Sequence, residues 1–152
     1  MMTIEQAAEK SAKQGYTWFD IPVPELFREL GAMRVNDFDR LPFGAIKLTR
    51  EGKVVDYNEA EAVFARRNPT DVIGCNFFRD IAPCTRVQEF YGFFVEQAWR
   101  GQLDHTFDFT FRFPHGWRQA RIRMVSDPMQ PYVYLFVNPL RTIAKNPAAA
   151  IA

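Results

Sequence analysis

The 152-residue chain carries 19 Lys and Arg against 18 Asp and Glu, a formal net charge of +1. Charges so evenly interleaved create no field able to collect phosphates, which argues against nucleic acid or an anionic membrane as a partner. Fifteen Phe supply one core, two cysteines make no disulfide framework, and neither a signal-peptide core nor a membrane span of roughly 20 apolar residues is present, so a soluble cytoplasmic domain is expected.

Thr3-Ile4-Glu5-Gln6 matches a capping box and opens an Ala-rich helix, weak in apolar face, that runs to Gly15. A second short helix is predicted from Pro24 through Leu30, with proline in its first turn and Gly31 as its stop. From Leu41 the pattern changes to strand, with Phe43 to Leu48 and Lys53 to Tyr57 predicted as a hairpin around Thr49-Arg50-Glu51-Gly52. Asn58 offers an N-cap to a helix from Glu59 to Arg66, which proline disfavours beyond Asn68-Pro69. Short helical turns follow to Pro83-Cys84, and the longest helix is predicted from Val87 to Arg100, with Phe90, Phe93, Phe94 and Ala98 inward and Gly101 closing it. Three strands complete the pattern, from His105 to Phe113, Arg118 to Val125 and Tyr132 to Val137, the first placing Phe107, Phe109, Phe111 and Phe113 on one face. After Pro139 little remains to pack, and a tail or linker is expected.

Two strands, several helical pieces, a long connector and three more strands describe an α+β arrangement: a PAS-type five-stranded antiparallel sheet flanked by helices. The expected division is an N-terminal helical cap over residues 1–40, a sensor domain over 41–138 and a tail over 139–152. Within this frame Cys84 offers a thiol for covalent attachment. Tyr57 and Glu61, four residues apart on one helix turn, can share a single hydrogen-bond acceptor.

The stretches Leu41-Pro42-Phe43-Gly44-Ala45-Ile46, Tyr57-Asn58-Glu59-Ala60-Glu61, Asn76-Phe77-Phe78-Arg79-Asp80-Ile81-Ala82-Pro83-Cys84-Thr85 and Glu89-Phe90-Tyr91-Gly92 resemble the photoactive yellow protein family. That resemblance implies a blue-light photoreceptor with p-coumaric acid held as a thioester on Cys84. It further implies a phenolate held by Tyr57 and Glu61, Arg67 as a lid, and Phe77 and Phe111 at the pocket. Light-driven trans-to-cis isomerisation, proton transfer from Glu61 and partial unfolding of the N-terminal cap would then signal to a downstream protein or output domain. A homodimer through the sheet or the N-terminal helices is left open.

Three positions depart from the family pattern. Ala65 stands where a threonine that orients the tyrosine is usual, Phe113 replaces a tyrosine, and His115 replaces a methionine associated with fast dark recovery. A loosened Tyr57 and altered recovery are the expected consequences. Two other readings stand beside the photoreceptor: a chromophore-free PAS module for sensing or dimerisation, and a Cys84-dependent acyl-transfer enzyme using His105 or His115 as base. Cys75, beside the Gly74 turn, is expected to be structural, and scattered His and Cys give no metal-ligand spacing.

Overall fold

The hairpin pattern after Leu41 folds as expected: β1 (Gly44–Thr49) turns back into β2 (Val54–Tyr57), with Ile46 opposite Tyr57. The computed structural model describes residues 18–34 and 36–143; the expected helix from Thr3 to Gly15 lies outside them. Gly52 holds φ +93° in the turn, a conformation that favours glycine, and a Cβ there would also crowd Asn76 Nδ2 and a Phe78 ring carbon at 3.2 Å. Strands β3 (Asp104–Phe113), β4 (Gly116–Ser126) and β5 (Tyr132–Ile143) complete an antiparallel sheet of order β2-β1-β5-β4-β3. This is the expected PAS-type α+β fold.

The expected tail boundary at Pro139 is corrected, because β5 continues to Ile143 against Trp117. Pro139 pairs with Ala120 where the β4–β5 register shifts, so the irregularity accommodates a residue that has no N–H to give the ladder.

The first helix runs one residue past its pattern at each end, whereas the later ones are shorter or broken. Helix α1 spans Val23–Gly31, α2 Glu59–Ala65 and α3 Pro69–Val72. Helix α2 ends before Pro69 acts, because Arg66 takes a left-handed conformation (φ 53°) and its N–H turns back to Ala62 and Val63. The single long helix from Val87 to Arg100 is also corrected. It comprises a wide turn over Gln88–Gly92, in which the Gly92 N–H reaches the Val87 carbonyl, then α4 (Phe93–Gln97) and a tight turn over Ala98–Arg100. These changes of winding still bury Phe90, Phe94 and Ala98, and Gly101 closes the segment at φ 69°.

Both faces of the sheet are covered. On the helical side Ile46, Leu48, Phe109, Phe111, Ile122, Met124 and Leu135 join Phe77, Phe78, Phe90 and Phe94 in the main core. On the outer side Ala45, Val125, Tyr134 and Phe136 pack beneath Trp18, Phe19, Ile21, Leu26, Phe38 and Phe43. Alternation along β5, whose residues Val133 to Val137 are all buried, sends successive side chains into the two cores. The segment before β1 is firmly packed on this face: Trp18 and Leu26 are fully buried, and the Trp18 ring lies 5.6 Å from both Phe43 and Phe136. No helix among the described residues is long and apolar enough to cross a membrane.

Candidate functional site

The thiol of interest sits on a short, tightly pinned loop. Asn76 caps the turn Phe77–Ile81 by accepting from the Arg79 N–H at 3.0 Å, and its own N–H donates to Asp80 at 3.0 Å. A second turn, Pro83–Thr85, is held by the fully buried Thr85, whose hydroxyl and N–H both donate to the Ala82 carbonyl, at 2.6 and 2.9 Å. Cys84, between two fixed ends, is half-buried and free. Phe77, 2% exposed, packs edge-on against Phe78 and backs this loop from the core.

Tyr57 and Glu61 do not share a helix turn as the spacing suggested. Tyr57 ends β2, Asn58 is the cap, and only Glu61 lies in α2. The buried Asn58 makes the junction: its side-chain oxygen accepts from the N–H groups of Glu61 (3.1 Å) and Ala45 (2.8 Å), while its amide donates to the carbonyls of Phe43 (2.9 Å) and Phe38 (3.2 Å). The sequence showed Asn58 only as a helix cap; its hold on β1 and on residues 38–43 spans too many positions for a local pattern to reveal.

Glu61 is 3% exposed, and its Oε1 is buried without a hydrogen-bond partner. Burial with no cation to offset it pushes the carboxyl well above its ordinary range, so the protonated form is favoured. Burial likewise raises the Tyr57 phenol, with Arg67 acting in the opposite direction. Two proton donors and an orphaned oxygen thus sit in the wall beside β1.

The space for this carboxyl is made by Gly44, which the sequence reading quoted without assigning a role. A Cβ on Gly44 would lie 2.6 Å from Glu61 Oε1 and 3.1 Å from Val137 Cβ. Gly44→Ala is therefore expected to lower folding stability by ~1–3 kcal/mol through overpacking. In a double-mutant cycle by urea denaturation, Glu61→Ala should recover part of that loss; strict additivity would show that the two side chains do not collide.

A cleft of about 520 Å³ opens beside the loop, lined by Ala65, Arg66, Arg67, Ile81, Ala82, Pro83, Cys84, Arg112, Phe113, Pro114 and His115. Arg67, one of the lining residues, donates from Nη2 to the Ile81 carbonyl at 3.1 Å. Ala65 lies one turn beyond Glu61 on the same helix face, so the cleft reaches the helix that carries the buried carboxyl. Tyr57 and Glu61 are not among the lining residues; they stand deeper, and Tyr57 belongs to the main core. Phe111, 2% exposed, stacks on Phe113 at 5.3 Å, and Phe113 stacks on His115 at 4.8 Å, which extends the aromatic row of β3 to the cleft. A second cleft of about 320 Å³ meets the first at Cys84 and Arg112.

Neither histidine completes a nucleophile–base pair with Cys84. His105 is sandwiched between Phe93 (4.0 Å) and Phe107 (4.7 Å) and lines neither cleft. His115 shares the larger cleft with the thiol, but its Nε2 contacts the Phe64 carbonyl at 3.2 Å and no carboxylate lines that cleft to orient it. Burial also lowers its pKa. Cys75 donates to the Asp71 carbonyl at 3.4 Å, and no metal-binding cluster exists among the described residues.

A model of the PAS fold matches residues 33–134. Photoactive yellow protein from Cereibacter sphaeroides is 43% identical over 97 residues, 64% of this chain and 78% of that protein. The photoactive yellow protein of Halochromatium salexigens is 37% identical over 116 residues, 76% of this chain and 93% of that one. Among solved structures, the photoactive yellow protein domain of the sensor histidine kinase Ppr from Rhodospirillum centenum matches with a TM-score of 0.67 at 37% identity, over 71% of this chain and 95% of that domain. A PAS domain of an HTR-like protein from Haloarcula marismortui, 8% identical, shares the fold alone at a TM-score of 0.55, over 77% of this chain and 97% of that one.

Proposed function

This chain belongs to the photoactive yellow protein family of PAS-fold photoreceptors, and from that premise we propose that it senses blue light through p-coumaric acid carried as a thioester on Cys84. The observation that carries this reading is the orphaned Glu61 oxygen, buried beside a buried tyrosine and one helical turn from the cleft that holds the half-buried thiol. A buried unpartnered oxygen is destabilising by ~1–3 kcal/mol, and a phenolic oxygen presented to Glu61 and Tyr57 supplies the missing partner.

When bound, p-coumaric acid contributes blue absorption and light-driven isomerisation. The chain's residues do the rest. Protonated Glu61 donates a charge-assisted hydrogen bond, Tyr57 donates another, and together they replace the water that a phenolate loses on burial. Arg67, tied to the Ile81 carbonyl, closes the mouth of the cleft. On isomerisation Glu61 would give its proton to the phenolate oxygen, and the bare carboxylate left in an apolar wall would favour local unfolding. The segment packed on the outer face is the proposed responder, and the signal passes to a downstream protein or output domain in the cytoplasm, in keeping with the sensor histidine kinase that carries the related Rhodospirillum centenum domain.

The deciding measurement is visible absorption after mixing the protein with activated p-coumarate, beside Cys84→Ala, before and after a blue flash. The proposal expects a band that requires Cys84, bleaches and recovers. A colourless product from both proteins would instead favour a chromophore-free PAS module, with Glu61 an ordinary buried acid.

A further inference from the structure

Arg123 is an unusual occupant for its position. It stands on β4 with its side chain on the outer face of the sheet, between Ile122 and Met124 of the main core, and is 3% exposed. Its Nε and Nη2 fork onto the two carboxylate oxygens of Asp104 on β3, at 3.0 and 3.2 Å. Its Nη1 donates to the backbone carbonyl of Trp18 at 2.9 Å, 105 residues away in sequence. The Trp18 ring meanwhile packs edge-on against Phe136, the residue opposite Arg123 on β5.

The polar and apolar halves of this contact have different reach. Ring packing holds Trp18 near the sheet but tolerates sliding, whereas a rigid guanidinium already oriented by Asp104 fixes one carbonyl at one point. Asp104 is 43% exposed and remains hydrated whether or not the segment docks, so the fork is available on the bare sheet. We propose that Arg123 is the positioning residue that fixes the segment carrying Trp18 to the outer face of the sheet, and thereby sets how readily that segment undocks. The inference does not depend on the chromophore: it concerns docking in the protein as translated, and a failure to form a coloured adduct on Cys84 leaves it intact.

Hydrogen exchange read by mass spectrometry on the full chain in the dark, comparing the parent with Arg123→Met, tests it. Methionine keeps an apolar stem but leaves the Trp18 carbonyl without its donor. Peptides covering residues 18–43 are expected to exchange about tenfold faster, with those covering 59–100 unchanged. Tryptophan emission should shift to the red, because Trp18 is fully buried whereas Trp99 is 60% exposed. Unchanged or slower exchange of residues 18–43 would overturn the proposal, as would equal loosening of both regions, which marks a general loss of stability. Should Arg123→Met fail to fold, Arg123→Lys serves: an ammonium cannot fork onto Asp104 while reaching Trp18, so intermediate loosening is expected, and parent-like exchange would refute the role.

Discussion

Asn58→Ala is expected to cost ~3–5 kcal/mol of folding stability, among the larger effects a single substitution produces. Four buried backbone groups depend on this one side chain: the N–H groups of Ala45 and Glu61 and the carbonyls of Phe38 and Phe43. Each buried group left unpaired is destabilising by ~1–3 kcal/mol, and the sum falls short of four such penalties because the loosened segment admits water. Asn58→Asp separates the halves of the network. It keeps the two accepted bonds but turns an acceptor toward the Phe38 and Phe43 carbonyls, so it too should be clearly destabilised. Urea denaturation of the three proteins at one pH checks this, and a loss below ~1 kcal/mol for the alanine variant would mean that the junction is replaceable by solvent.

The contrast between Asn58 and Cys84 shows what this sequence discloses. Strand alternation and the turn at Gly52 specify the sheet, because a period of two and a left-handed glycine are local properties. Cys84, Glu61 and Tyr57 became candidates through the family resemblance, although spacing alone placed Tyr57 and Glu61 on one helix and the structure leaves Tyr57 at the end of β2 with the Asn58 cap before the helix of Glu61. The contacts that join distant parts were not legible. Arg123 meeting Trp18, Gly44 clearing Glu61 and Asn58 tying β1 to residues 38–43 are all consequences of tertiary packing. Pro139 misled for a related reason: proline weakens a strand pattern, and only the register shift opposite it shows how β5 runs on.

Glu61→Gln is expected to stabilise the chromophore-free protein increasingly as pH rises. The sign follows from burial: the folded state holds the Glu61 proton more tightly than the unfolded chain does, because the carboxyl lies well above its ordinary value of 4.5. Stability contributed by the protonated carboxyl is therefore complete below the ordinary value and drains away up to the raised folded value. Through that window the parent loses about 1.4 kcal/mol per pH unit relative to a residue that does not titrate. Glutamine occupies nearly the same volume and stays neutral, so the difference in unfolding free energy between the two proteins should be small near pH 4 and widen as pH rises until the raised folded value is passed, then level off. Urea midpoints at pH 4, 6 and 8 measure the divergence directly, and a constant difference would show that Glu61 ionises in the fold as freely as in water. The same experiment bears on signalling, since a wall that resists a carboxylate in the dark is the wall whose structure a light-driven proton transfer would break.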